Sequence, residues 1–89
     1  MSTVFIALQT NEETRPVIEA IVQDNPDAVV NEQPAMVKID AQDRLVIRRE
    51  TIEELIGRPF DLQELQINLI TMTGNLDQTD DEMVLYWRA

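Results

Sequence analysis

Carboxylates are the groups this chain supplies most freely for chemistry: Glu12-Glu13, Glu53-Glu54, and Asp77, Asp80, Asp81 and Glu82 lie close together. Paired carboxylates do general acid–base work when an apolar cleft raises one pKa. These runs fall at helix starts or in a polar stretch, where capping of amides and contact with water are the usual roles. The stretch 77–82 also invites comparison with a calcium loop. Such a loop needs oxygen ligands at alternate positions, a glycine at the sixth and a glutamate at the twelfth, and that spacing is missing.

Beyond carboxylates, only Tyr86 and the single lysine, Lys38, could titrate usefully. Cysteine and histidine are absent. That excludes disulfides, thiolate or imidazole metal sites, thiol nucleophiles and imidazole triads. The only serine is Ser2, which does not open a helix as an acyl carrier's serine must, and the end Trp87-Arg88-Ala89 is not the Gly-Gly tail of a ubiquitin-like carrier. The two glycines, Gly57 and Gly74, are too far apart to form a phosphate loop. No catalytic, metal or cofactor-binding residues are expected.

Seventeen acidic residues against seven basic ones give a net charge of −10. Nucleic acids and anionic membranes bind basic surfaces, so neither is an expected partner. A protein partner should offer a neutral or basic surface. At 44% apolar and 27% charged residues, the composition is that of a soluble folded chain. Its 89 residues suit one domain, 1–89, at roughly 100–200 residues per domain. Residues 1–8 lack the basic start and long apolar run of a signal peptide. No stretch is apolar enough for a membrane span, so a cytoplasmic location is expected.

Several elements could position these groups. Residues 3–8 are β-branched and read as a strand; Thr10 and Glu13 form a capping-box pattern for a helix over 12–23. Pro16 fits its first turn, and Asn25-Pro26 ends it. Strands are expected over 28–32, 35–40 and 44–49. A second capping box, Thr51 to Glu54, opens a helix that stops at Gly57, and Asp61 to Glu64 opens a short one. Strands over 66–73 and 82–87 follow, joined through Gly74-Asn75 and an acidic loop. The order is β-α-β-β-β-α-α-β-β: an α+β domain with a mainly antiparallel sheet.

Both parities of these strands carry apolar side chains: Val4, Ile6 and Leu8 against Phe5 and Ala7, and Met83, Leu85 and Trp87 against Val84 and Tyr86. The helices are too short to cover two faces. Either the sheet is split or curled, so that both sets are interior, or one set is an exposed patch that docks on another protein. The set with least helical cover is Ile70, Met72, Val84 and Tyr86, with Asn75 at the turn between their strands. These five are the candidate partner-binding residues. Arg48 and Arg49 alternate, so that one meets nearby carboxylates and the other faces out.

Asp24-Asn25-Pro26, Pro34-Ala35-Met36, and the run from Arg44 to Thr51 form a pattern with Glu53-Glu54, Gly57-Arg58-Pro59-Phe60, Gln63-Glu64 and Gly74-Asn75. From Val4 to Trp87 the chain resembles the effector, or coupling, proteins of bacterial multicomponent di-iron monooxygenases, the phenol hydroxylase activators most of all. The resemblance implies a cofactor-free regulatory protein that docks on the di-iron oxygenase, over the helices carrying the metal centre. There it would keep oxygen activation coupled to hydroxylation. Iron and reductase chemistry would belong to other components. An unrelated acidic interaction module and a stand-alone carboxylate-based ligand-binding domain are the competing readings.

Overall fold

A computed structural model describes residues 3–87. The first strand, β1 (Thr3–Gln9), buries Val4, Ile6 and Leu8 completely, and Ala7 with them. It is followed by α1 (Thr14–Asp24), β2 (Val29–Gln33), β3 (Met36–Gln42) and β4 (Arg44–Arg48). Helix α2 (Arg49–Ile56) leads to a 3₁₀ turn (Leu62–Glu64) and the single-turn helix α3 (Leu65–Asn68). The chain closes with β5 (Leu69–Thr73), β6 (Asn75–Gln78) and β7 (Glu82–Tyr86).

The strands form two antiparallel sheets, one ordered β2-β3-β1-β5 and the other β4-β7-β6. Over the described residues the chain crosses between the sheets three times, once through the helices between β4 and β5 and twice directly from strand to strand. Each direct crossing lies at one residue with positive φ: β3 enters β4 through Asp43 (φ 66°), and β5 enters β6 through Gly74 (φ 121°). A Cβ on Gly74 would lie 2.9 Å from Val4 Cγ1, so this corner requires glycine twice over. Trp87 ties the same corner: its backbone N–H donates to Asp43 O at 3.3 Å and its Nε1 to Thr3 O at 2.9 Å.

The shared interior joins Ile6 and Leu8 of β1 to Ile39, Leu45, Ile47 and Leu85, with Val17, Ala20 and Ile21 of α1 and Ile52 of α2 packed over them. Each large aliphatic side chain so buried contributes roughly 1.5–3 kcal/mol. The sheet is thus split, yet its second parity is interior only in part: Ala7 is fully buried and Met72 packs on the core. Phe5, Val46, Val84 and Tyr86 are half-buried and Ile70 is exposed. Each of the two expected arrangements holds in part.

Local starts differ from expectation for identifiable reasons. Helix α1 opens at Thr14 on a reciprocal pair one step along: Thr14 N–H donates to Asn11 Oδ1 and Asn11 N–H to Thr14 Oγ1, both at 3.0 Å. Helix α2 opens at Arg49, ahead of the Thr51 pattern; Arg49 N–H is satisfied by Asp81 O at 2.9 Å, and Thr51 is buried. A tertiary contact supplies the cap here. Gly57 ends α2 as expected, at φ 74°, donating to Glu53 O at 2.9 Å. The Asp61–Glu64 box forms in full, and its turn runs on through α3, so β5 starts at Leu69 rather than at 66. Residues 75–78, expected as loop, form β6.

Candidate docking surface

The five candidates are placed by two different sheets. Strand β5 pairs with β1, with Leu8 opposite Leu69, Ala7 opposite Thr71 and Ile6 opposite Met72. One residue of β5, Ile70, is therefore extra between Ala7 and Leu8. Directly opposed residues share a face, so Leu69 and Met72 both point toward the interior, and both pack on the core cluster. The bulge leaves Ile70 outside, 46% exposed. Ile70 and Met72 share a parity in the sequence but not a side in the fold.

Strand β7 lies between β4 and β6, so Tyr86 stands in one row with Arg44 and Asn75, and Val84 in the next with Val46 and Asp77. Asn75, Val84 and Tyr86 do share one face. It is the outer face of the three-stranded sheet, with Val84 and Tyr86 half-buried and Asn75 exposed. The structure brings these three together, puts Ile70 on the neighbouring sheet's edge, and turns Met72 inward.

Ile67 was not singled out in the sequence, yet it is 75% exposed, more than any other large apolar residue described. It stands three residues before Ile70, with Asn68 between them. Asn68 Oδ1 accepts from Asn11 Nδ2 at 2.9 Å, which fastens the end of α3 to the turn between β1 and α1. The sequence signal for Ile67 was the Asp61–Glu64 box: a helix continuing from it keeps Leu62 and Leu65 inside and turns Ile67 out.

Several carboxylates are engaged structurally. Glu53 Oε2 accepts from Phe60 N–H at 2.8 Å, and Glu64 Oε2 from Asp61 N–H at 2.9 Å. Asp81 Oδ1 receives Arg49 Nη2 at 2.8 Å, so Arg49 is the arginine that meets carboxylates, while Arg48 is exposed opposite Glu82. Among the described residues no group of three acidic side chains is placed to hold a metal ion, and no helix is long and apolar enough to cross a membrane.

This arrangement recurs in known proteins. The chain is 54% identical over 87 residues to the phenol 2-monooxygenase stimulatory component DmpM of Pseudomonas sp. (strain CF600), covering 98% of this chain and 97% of that one. It is 29% identical over 75 residues to the effector subunit of the alkene monooxygenase system of Xanthobacter autotrophicus, covering 82% and 74%. A chain in a solved phenol hydroxylase–regulatory protein complex superposes with a TM-score of 0.94 at 49% identity, covering 98% of this chain and all of that one. With residues 2–86 matching its sequence model, the chain belongs to the MmoB/DmpM family.

Proposed function

We propose that this protein is the regulatory component of a multicomponent phenol hydroxylase. It carries no catalytic residues or cofactor of its own, binds the di-iron oxygenase component, and promotes hydroxylation coupled to oxygen consumption. The observation that carries this reading is the 0.94 TM-score and 49% identity to a chain in a phenol hydroxylase–regulatory protein complex, over nearly the whole of both chains. Residues 1–89 act as one effector domain in the cytoplasm, where the oxygenase and its reductase work.

Docking uses the surface where apolar side chains meet water: Ile67 of α3 and Ile70 of β5, and Asn75, Val84 and Tyr86 on the outer face of the three-stranded sheet. Met72 supports β5 from within. The protein can shift the oxygenase toward an active arrangement only by binding that arrangement more tightly than the resting one. The test is phenol hydroxylation by purified oxygenase and reductase with NADH, with and without this protein. Higher product yield per oxygen consumed is the expected result, and equal yield contradicts the reading.

A further inference from the structure

The two edges of the three-stranded sheet are treated in opposite ways. On β4 the outward backbone groups of Val46 are taken up: Val46 N–H donates to Asn25 Oδ1 at 2.9 Å and Val46 O accepts from Asn25 Nδ2 at 2.6 Å. On β6 nothing among the described residues pairs with the side away from β7. All four of its residues are exposed. An unpaired strand edge is a row of donors and acceptors ready to take another strand, and proteins ordinarily cover or blunt it.

The open edge is also held in shape. Gly74 sets its start against Val4. Beyond its end, Thr79 N–H donates to Glu82 O at 2.9 Å, while Thr79 Oγ1 accepts from the backbone N–H groups of Asp81 and Glu82 at 3.2 Å. Arg49 grips Asp81. Little ordering is left to be done when a partner arrives, which favours binding. Leu76, opposite the fully buried Leu85, is 40% exposed at the rim of the core. Asp77 faces the other side of the sheet, and neither it nor Asp80 has an ion pair among the described residues.

We propose that the free edge of β6 pairs with an extended, basic segment of the oxygenase, which becomes a fourth strand of this sheet. Main-chain hydrogen bonds to 75–78 hold the segment. Alternate side chains select it, with an apolar one beside Leu76 and a lysine or arginine beside Asp77 and Asp80. The charge of the partner segment follows from these unpaired carboxylates on a chain of net charge −10. The inference rests on the oxygenase being the partner.

The experiment is amide hydrogen exchange of this protein, free and saturated with oxygenase, together with zero-length carbodiimide cross-linking of the complex and stimulation of hydroxylation in the same preparation. Alternate amides within 75–78 should be protected about tenfold or more on binding, as strand pairing protects amides. Asp77 or Asp80 should cross-link to an oxygenase lysine, and the double variant Asp77→Lys with Asp80→Lys should abolish the link while leaving the circular dichroism spectrum unchanged. If the oxygenase binds and is stimulated while 75–78 exchange as in the free protein, the edge proposal is wrong and the functional reading stands. If neither binding nor stimulation occurs, the functional reading fails, and the edge proposal with it.

Discussion

Asn25 is bonded to Val46 as a neighbouring strand residue would be. Its Oδ1 accepts from Val46 N–H at 2.9 Å, its Nδ2 donates to Val46 O at 2.6 Å, and the same Nδ2 reaches Ile21 O at 2.7 Å. One side chain thus ends α1, closes the outer edge of β4, and fixes the helix against the three-stranded sheet.

Removing it should be expensive for its size. Asn25→Ala leaves three backbone groups in a partly buried setting without their partner, a loss of about 1–3 kcal/mol by the usual cost of unsatisfied groups. Asn25→Asp keeps an acceptor but cannot donate to either carbonyl, so it should also destabilise. Urea unfolding reads both: a lower midpoint at unchanged slope is expected, and a wild-type midpoint for Asn25→Ala contradicts the role.

The two glycines should respond unequally. Both have positive φ, but a Cβ on Gly57 meets nothing within 4 Å, whereas one on Gly74 meets Val4 Cγ1 at 2.9 Å and Tyr86 O at 3.3 Å. Gly57→Ala should cost about 1 kcal/mol, from backbone conformation alone. Gly74→Ala adds overpacking at the corner between the sheets and should cost about 1–3 kcal/mol more. Thermal unfolding of both variants gives the order, and equal losses would remove the corner from the account.

Ile70 and Met72 should separate cleanly. Met72→Ala removes a side chain packed on the core and should lower stability by about 1–3 kcal/mol, toward the low end of buried truncations because Met72 is only half-buried. Ile67→Ala and Ile70→Ala should leave stability within about 0.5 kcal/mol, as surface changes do. They and Tyr86→Ala should instead weaken oxygenase binding by about 1–3 kcal/mol if they include its anchors. Titration of the oxygenase with variants first shown to be folded decides this. Unchanged affinity in all three would move the docking face elsewhere.

The Arg49–Asp81 pair should matter less than its 2.8 Å separation suggests. The side chains are 38% and 80% exposed, so solvent screens them. Asp81→Asn should shift stability by less than about 1 kcal/mol, and the shift should shrink in salt. A larger, salt-independent loss would mean that the pair holds the β6–β7 loop through something other than charge.

Strong local patterns carried over from sequence to structure, and tertiary choices did not. The β-branched runs of β1, β3 and β4, the Asp61–Glu64 box and the αL position of Gly57 all declare themselves locally. Residues 75–78 include no β-branched side chain; β6 exists because β7 and the Gly74 corner place it. Helix α2 begins two residues early because Asp81 O, far along the chain, caps Arg49. On the docking surface, Val84 and Tyr86 share a face as alternation suggests, and Asn75, expected at a turn, joins them from β6. The single-residue bulge opposite Ala7 and Leu8 reversed Met72 relative to Ile70, and no residue type in β5 announces it.

The central claim is that this protein acts by binding and reshaping an oxygenase rather than by chemistry of its own. The most direct measurement is the ratio of hydroxylated product to oxygen consumed by oxygenase, reductase and NADH with phenol, as this protein is titrated in. The ratio and the rate should both rise and level off near one effector per active site, and the protein alone should turn nothing over. A ratio and rate that stay flat through the titration, with binding verified in the same samples, would contradict the account.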